Sequence, residues 1–320
     1  MSLFGKKGNQ PTTLSKDFSR SPKANIQRSV FNRDHGLKTT INGGYLYPIF
    51  YDEALPGDTF QLDANGFGRL ATPINPFMDN LYVQTFFFAV PFRIIWDNWE
   101  KFCGEQVNPG DSTDYSTPQI QNVTVAEETL FDYFGLPTGV ANISFNNFAG
   151  RAYNMVWNEW FRDENLQNSL TVDRDDGPDT QSDYILQKRG KRHDYFTSAL
   201  PWPQKGAAVN LPLGTTAPIT AANNVDLSVY RQDISTNVRL NASTSYLVAD
   251  SAPAPGTPMT PLQADLSTAT SATINQLREA FQVQGLLERD ARGGTRYKEI
   301  IQGHFNVTSP DMRLDRPEYL

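Results

Sequence analysis

The run LYVQTFFFAVPFRIIWDNWEKFC, residues 81–103, limits what this chain can fold into more than any other stretch. From Leu81 to Val90 it is rich in aromatic and β-branched side chains and has no glycine, so it reads as one long strand. Leu81, Val83, Thr85, Phe87 and Ala89 alternate with Tyr82, Gln84, Phe86, Phe88 and Val90, which makes both faces apolar and requires both to be covered. Pro91 removes a backbone donor and closes the strand. Beyond it Ile95, Trp96, Trp99, Phe102 and Cys103 fall on one helical stripe, with Asp97, Asn98, Glu100 and Lys101 on the other. A two-faced strand running into an aromatic helix implies a sheet buried beneath other elements.

What surrounds that stretch is mostly connection, as 22 Gly and 21 Pro require. Lys38–Tyr51 reads as a strand interrupted by a bulge or turn at Gly43 and Gly44, Pro56–Gly57 as a turn, and Thr59–Leu62 as a short strand. Thr124 followed by Glu127 has capping-box spacing and predicts a short helix through Leu130, Phe131 and Phe134 that Gly135 and Pro137 stop. Ala152, Met155, Val156 and Trp160 predict a longer helix from about Asn147 to Asn165, with Asn158, Glu159 and Asp163 turned away. Tyr153, Trp157 and Phe161 thicken its apolar face, which reads as core rather than as a platform for stacked bases.

From Gly206 to Thr273 the composition shifts to Ala, Thr, Ser, Asn and Pro. Such a stretch buries little of its own surface and is expected to lie outside the body, with strands near Val225–Tyr230 and Thr236–Val248. Ile274, Leu277, Phe281 and Leu287 then mark a helix ending at Gly293–Gly294, and Ile300–Val307 reads as a strand.

Charge is divided unevenly. The first forty residues carry Lys6, Lys7, Lys16, Arg20, Lys23, Arg28, Arg33 and Lys38 against Asp17 and Asp34, a balance of +6 within a total of −7, which leaves −13 for the rest. Residues 1–35 have few apolar side chains, so they read as an extended basic arm with an anionic partner of its own. Cys103 is the only cysteine and permits neither an internal disulfide nor a cysteine-based zinc site, which fits a reducing cytoplasm. No apolar run approaches a membrane span and the N-terminus lacks the apolar centre of a signal peptide, so no membrane insertion is expected.

Catalytic chemistry is missing by the same reading. His35, His193 and His304 have no zinc spacing, and no HExxH, GxSxG or GxxxxGK[ST] occurs. His193 beside Asp194 reads as a surface residue. The acidic run 173–179, DRDDGPD, has the composition of a calcium loop without its ligand spacing. Glu159 between Trp157 and Trp160 would suit a sugar-cleaving site, yet its second carboxylate has no assignable position. No catalytic residue, metal site or cofactor is expected.

Five segments then converge: GYLYPIFYDEALPGDTF (44–60), VPFRIIWDNWEKFCGE (90–105), RAYNMVWNEWFRDENLQ (151–167), KRHDYFTSALPWPQKG (191–206) and LREAFQVQGLLERDARGGTRYKEIIQGHF (277–305). In this order they resemble the major capsid protein of Microviridae, in particular the gokushovirus branch of these small bacteriophages. The resemblance implies a mainly β fold, a viral jelly-roll β-sandwich with long loop insertions and several short helices. It implies a T=1 icosahedral shell of copies of the chain around circular single-stranded DNA, assembled in the bacterial host cytoplasm and located in the virion. Minor virion and scaffolding proteins and a host surface receptor are the further partners it implies.

On this basis residues 1–35 are the arm, 36–206 the jelly-roll body with helical insertions, 207–272 a surface insertion like the threefold protrusion, and 273–320 a return to the body. The DNA-binding candidates are Lys6, Lys7, Lys16, Arg20, Lys23, Arg28 and Arg33. The host-attachment candidates are Val225, Tyr230, Arg231, Asp233, Arg239 and Tyr246. The family's chains continue past the last block seen here, which implies a jelly roll lacking strands and exposing sheet edges. A carbohydrate-binding β-sandwich is the alternative reading, and it has no use for a basic arm.

Overall fold

The computed structural model describes residues 27–112, 114–190, 194–210 and 273–320, together with the backbone of five short strands between 219 and 264. The chain divides into two units, Met1–Thr40 and Ile41–Leu320. Of the first unit, residues 27–40 are described. They are exposed and without regular structure, apart from local contacts such as the Asp34 N–H on the Asn32 side chain at 2.9 Å.

In the second unit the long strand is confined to β1 (Phe88–Ala89), which pairs antiparallel with β9 (Glu318–Tyr319). A strand exists only where another backbone meets it, and among the described residues β9 is the neighbour that does so. Leu81, Tyr82 and Val83 are therefore left exposed. After Pro91 the expected single stripe is broken into two one-turn helices, α1 (Phe92–Ile95) and α2 (Trp99–Phe102). The break has a cause: the Asp97 N–H donates to the Arg174 carbonyl at 2.9 Å and the Trp96 indole to Asp176 at 2.7 Å, so this backbone is held by the acidic loop. Trp96 is thereby fully buried, while Cys103 is exposed.

β2 (Gln119–Val123) and β3 (Ile143–Asn146) pair antiparallel around a bulge, and α3 (Leu130–Tyr133) lies between them in sequence. The capping box at Thr124 and Glu127 does not form. The turn starts after Thr129 instead, with the Asp132 carboxylate accepting the Glu128 N–H at 2.9 Å, because Val125 is taken by a bridge to Thr138. Ile120, Val125, Leu130, Phe131 and Tyr184 make one core cluster. A second is built from Ile94, Ile95 and Trp96 at the end of α1 and from Phe148 and Met155 on α4 (Phe148–Val156). α4 runs into a π-helical turn, Trp157–Phe161, so the predicted helix is present but ends short of Asn165. Trp157 is buried with its indole on the Lys188 carbonyl, which makes this face core as expected.

Thr59–Leu62 is unpaired, and within Lys38–Tyr51 the ladder is reduced to a bridge from Tyr45 to Lys188. The 55–58 turn forms as predicted, with Gly57 at φ 86° and the Asp58 N–H on the Leu55 carbonyl at 3.0 Å. Five strands lie between 219 and 264: β4 (Ile219–Thr220) pairs with β8 (Gln263–Ala264), and β5 (Ser228–Arg231), β6 (Thr236–Ala242) and β7 (Leu247–Ala249) form an antiparallel three-stranded sheet. α5 (Ile274–Gly293) has the predicted bounds and a capping box at its start, where Thr273 and Gln276 exchange hydrogen bonds of 2.9 and 3.2 Å.

The predicted strand at Ile300–Val307 is instead helical, α6 (Tyr297–Phe305). Glu299 accepts the Arg296 N–H at the start, Lys298 reaches Asp311 at 2.6 Å, and His304 reaches Asp290 of α5 at 2.6 Å. These i to i+3 and interhelical contacts overrule the β-branched pair Ile300–Ile301.

Candidate functional site

The strongest electrostatic feature of the described residues is a charge sealed inside the protein. α4 carries Arg151 on its inner face, where amphipathic spacing calls for an apolar residue. Its Nε donates to Asp179 Oδ2 at 2.8 Å and its Nη2 to Oδ1 at 2.5 Å, and both side chains are 0% exposed. Nη1 donates to the carbonyls of Ile95 at 3.0 Å and Asp175 at 2.9 Å, so the guanidinium ties α1, α4 and the acidic loop together. Burial alone would lower its proton affinity. The hydrogen bonds and charge of Asp179 reverse this and hold Arg151 above the ordinary value.

Around this pair the acidic run is fully committed. Asp179 also accepts from Asn147 Nδ2 at 2.6 Å and from the Tyr184 hydroxyl at 3.2 Å, which reaches Asp173 at 2.9 Å as well. Asp176 accepts from the Trp96 indole and from Asn98 at 3.0 Å. Burial and then the neighbouring Asp179 charge push the Tyr184 hydroxyl well up, so it stays a donor. The run that resembles a calcium loop in composition therefore wraps the protein's own cation, and among the described residues no group of three or more His, Cys, Asp or Glu is placed to hold a metal. Gly150 is required beside it, since a Cβ there would lie 2.2 Å from Asn147 Oδ1.

A second group of contacts fastens the C-terminal segment to the π turn. Arg316 covers the Trp160 ring at 4.5 Å and donates to the Glu159 carbonyl at 3.1 Å, while the Trp160 indole donates to the Pro317 carbonyl at 3.0 Å. Glu159 thus serves as a structural partner near Arg316, at 3.7 Å, rather than as one of a catalytic pair. Arg93 adds a contact to Asp315 at 3.0 Å.

A shallow cleft is lined by Tyr51, Phe131, Phe134, Leu136 and Phe145, with Asn146 as its polar side chain. Its walls offer neither a nucleophile and base pair nor two facing carboxylates.

The sequence-predicted residues are distributed as follows. Arg28 and Arg33 lie in the exposed stretch of the first unit, whereas Lys6, Lys7, Lys16, Arg20 and Lys23 lie outside the described residues. In the insertion, Tyr230 and Arg231 fall on β5 and Arg239 on β6, with Ser228 opposite Arg239 and Tyr230 opposite Asn237. Val225, Asp233 and Tyr246 lie outside the described residues.

What the described surface offers most plainly is apolar. Every residue from Glu53 to Thr85 is exposed, and among them Phe67, Ile74, Met78 and Val83 present at least four-fifths of their side-chain surface to solvent. Large apolar side chains left uncovered along one segment are the kind of surface that an interaction covers.

Comparison with known proteins decides what kind of molecule carries these features. The family model described as capsid protein (F protein) matches residues 19–320. The chain belongs to this capsid protein family. It is 48% identical over 318 residues to capsid protein VP1 of Bdellovibrio phage phiMH2K, 37% identical over 382 residues to VP1 of Chlamydia phage 1, and 35% identical over 336 residues to VP1 of Spiroplasma virus 4. These alignments cover 95%, 97% and 95% of the chain and 60%, 64% and 60% of the three relatives, so the chain spans about three fifths of their length. Membership in the F protein family bears out the resemblance to Microviridae capsid proteins. No described helix is long and apolar enough to cross a membrane.

Sequence reasoning missed Arg151, Asp179, Asn147 and Tyr184 as one buried polar network. The available signal was partial: an arginine at core-facing helical spacing calls for a buried counter-ion, but the spacing does not say which carboxylate supplies it.

Proposed function

We propose that the chain is the subunit of a T=1 icosahedral shell that encloses circular single-stranded DNA in a phage virion. The observation that carries this reading is the capsid family match across residues 19–320. The exposed apolar side chains of 53–85, Phe67, Ile74, Met78 and Val83 among them, support it, because such surface is suited to burial against neighbouring copies. The body is a jelly-roll β-sandwich, a reading supported by the strand ladders, which among the described residues are antiparallel, and by the strand-like composition of Leu81–Phe86, which leads into β1. The arm, through Lys6, Lys7, Lys16, Arg20, Lys23, Arg28 and Arg33, neutralises genome phosphates. The insertion 207–272 meets the host surface receptor, and minor virion and scaffolding proteins join the shell during assembly in the host cytoplasm.

Gradient sedimentation of particles from infected host cells, followed by peptide mass spectrometry, tests the reading. Peptides of this chain should dominate the shell fraction that holds nuclease-protected single-stranded DNA. Their confinement to the slowly sedimenting soluble fraction would overturn it.

A further inference from the structure

Two carboxyl groups meet where the α5–α6 hairpin touches the rest of the second unit. Glu164 lies just beyond the π turn, and its Oε1 accepts the Thr295 N–H at 2.7 Å. Glu299 lies in the first turn of α6, and its Oε2 accepts the Arg296 N–H at 3.2 Å. The N–H groups of two consecutive residues thus hold the two carboxyl groups side by side. For such a pair to hydrogen-bond, one carboxyl group must carry a proton.

The approach is built into the backbone. At Gly294, φ is 91° and a Cβ would lie 2.2 Å from Glu299 Oε2 and 2.9 Å from Glu164 Oε1, so only glycine lets the turn pass this close to both. The Glu164 side chain is 10% exposed and the Glu299 side chain 33%. The cation facing them is Arg296, 3.7 Å from Glu164 and 3.5 Å from Glu299, and its Nη2 is already shared between the carbonyls of Asn158 at 3.1 Å and Arg162 at 2.8 Å. A single guanidinium thus faces two carboxyl groups, one of them nearly buried.

Other charged groups on the adjoining elements have their own partners. Arg162 donates to the Gln167 carbonyl, Asp163 accepts from the Asn165 N–H, Lys205 reaches the Asn165 side chain, Arg292 pairs with Glu288, Lys298 with Asp311, and Arg316 with Glu159 and Asp311. His304 with Asp290 is a second titratable contact between α5 and α6, at 2.6 Å.

We propose that Glu164 and Glu299 share one proton and form a latch that holds the α5–α6 hairpin against the π turn until that proton leaves. This does not rest on the capsid reading. Burial first, and then the Glu164 charge, pushes Glu299 above the usual carboxyl range. Burial also works to raise Glu164, but the Thr295 N–H, Glu299 and Arg296 outweigh it and hold Glu164 below that range. The pair therefore loses its protons in two separated steps. The Glu299 contribution is present at low pH and is lost as pH rises through its raised value, and the Glu164 contribution is lost as pH falls through its lowered one. The hairpin is held most firmly under weakly acidic conditions and freed on the alkaline side.

Backbone hydrogen exchange of the peptide spanning residues 294–300, corrected for intrinsic rates, reads the latch directly. Protection should fall about tenfold or more between pH 5 and pH 8 in the unaltered chain. Glu299→Gln keeps a hydrogen bond to Glu164 without a titrating proton and should remain protected at pH 8, as should Glu164→Gln. His304→Gln should keep the pH dependence. A flat profile in the unaltered chain, or a pH dependence that survives both glutamine variants and disappears with His304→Gln, would overturn the proposal.

Discussion

Arg151 and Asp179 form a two-point ion pair with neither side chain reaching solvent. The second acidic contact of Arg151, to Asp175 at 3.3 Å, differs in kind, because the Asp175 side chain is 79% exposed and such a contact is worth little. The stability that depends on Arg151 therefore rests on Asp179 and on the carbonyls of Ile95 and Asp175.

Arg151→Met should cost about 3–5 kcal/mol of unfolding free energy, because it leaves the Asp179 carboxylate buried without its cation. Arg151→Lys should recover only part of this loss, since an ammonium cannot donate from two nitrogens to Asp179 and from a third to α1. Urea denaturation of the three proteins checks both the size and the order.

Thr273→Ala should lower stability by about 1 kcal/mol through loss of the α5 capping box, with Thr273→Asn near neutral. The effect should be local. Hydrogen exchange in the first turn of α5 should rise while that of α4 stays unchanged.

If the first forty residues bind packaged DNA by charge neutralisation, all six of their net charges can release counterions. Log K for single-stranded DNA should then fall with log salt at a slope of about −4, at roughly −0.7 per phosphate. Deletion of residues 1–28 should remove most of that slope in a filter-binding titration. An unchanged slope would place the contact on the second unit, with Arg189, Lys191 and Arg192 the next candidates.

What the sequence made legible followed from local chemistry. The bounds of α5, the 55–58 turn, the helix through Met155 and two strands close to 228–231 and 236–242 each rest on near-neighbour signals such as caps, turn glycines and periodicity. The misses share a different origin. Leu81–Phe87 has strand composition, but pairing depends on a distant partner, and sequence spacing is silent on which partner is present. Ile300–Val307 failed for the converse reason, since Lys298, Glu299 and His304 impose a helix through contacts that two isoleucines do not announce.

At the site, the family blocks pointed to the kind of protein, while the buried Arg151 network was hidden because a charged residue normally marks an outer helix face. The acidic run, which has a calcium loop's composition without its spacing, closes around Arg151. Its counter-ion lies on another element, and one-dimensional spacing cannot report such a pairing.

The short ladder between β1 and β9 sets an order in time. It closes beside the contact from Arg93 to Asp315, whose partners are separated by 222 positions, so the aromatic cluster of Phe88, Trp160 and Tyr319 cannot be completed early in synthesis. At roughly 5–20 residues per second, ribosomes need on the order of tens of seconds to travel from one side of this contact to the other. Throughout that interval Phe88 and Trp160 lack their covering strand, and closing so long a loop carries an entropic cost that local elements do not face. A nascent chain of this protein thus passes through a sticky stage whose duration depends on translation speed, and slowing elongation between these positions should increase its aggregation before release.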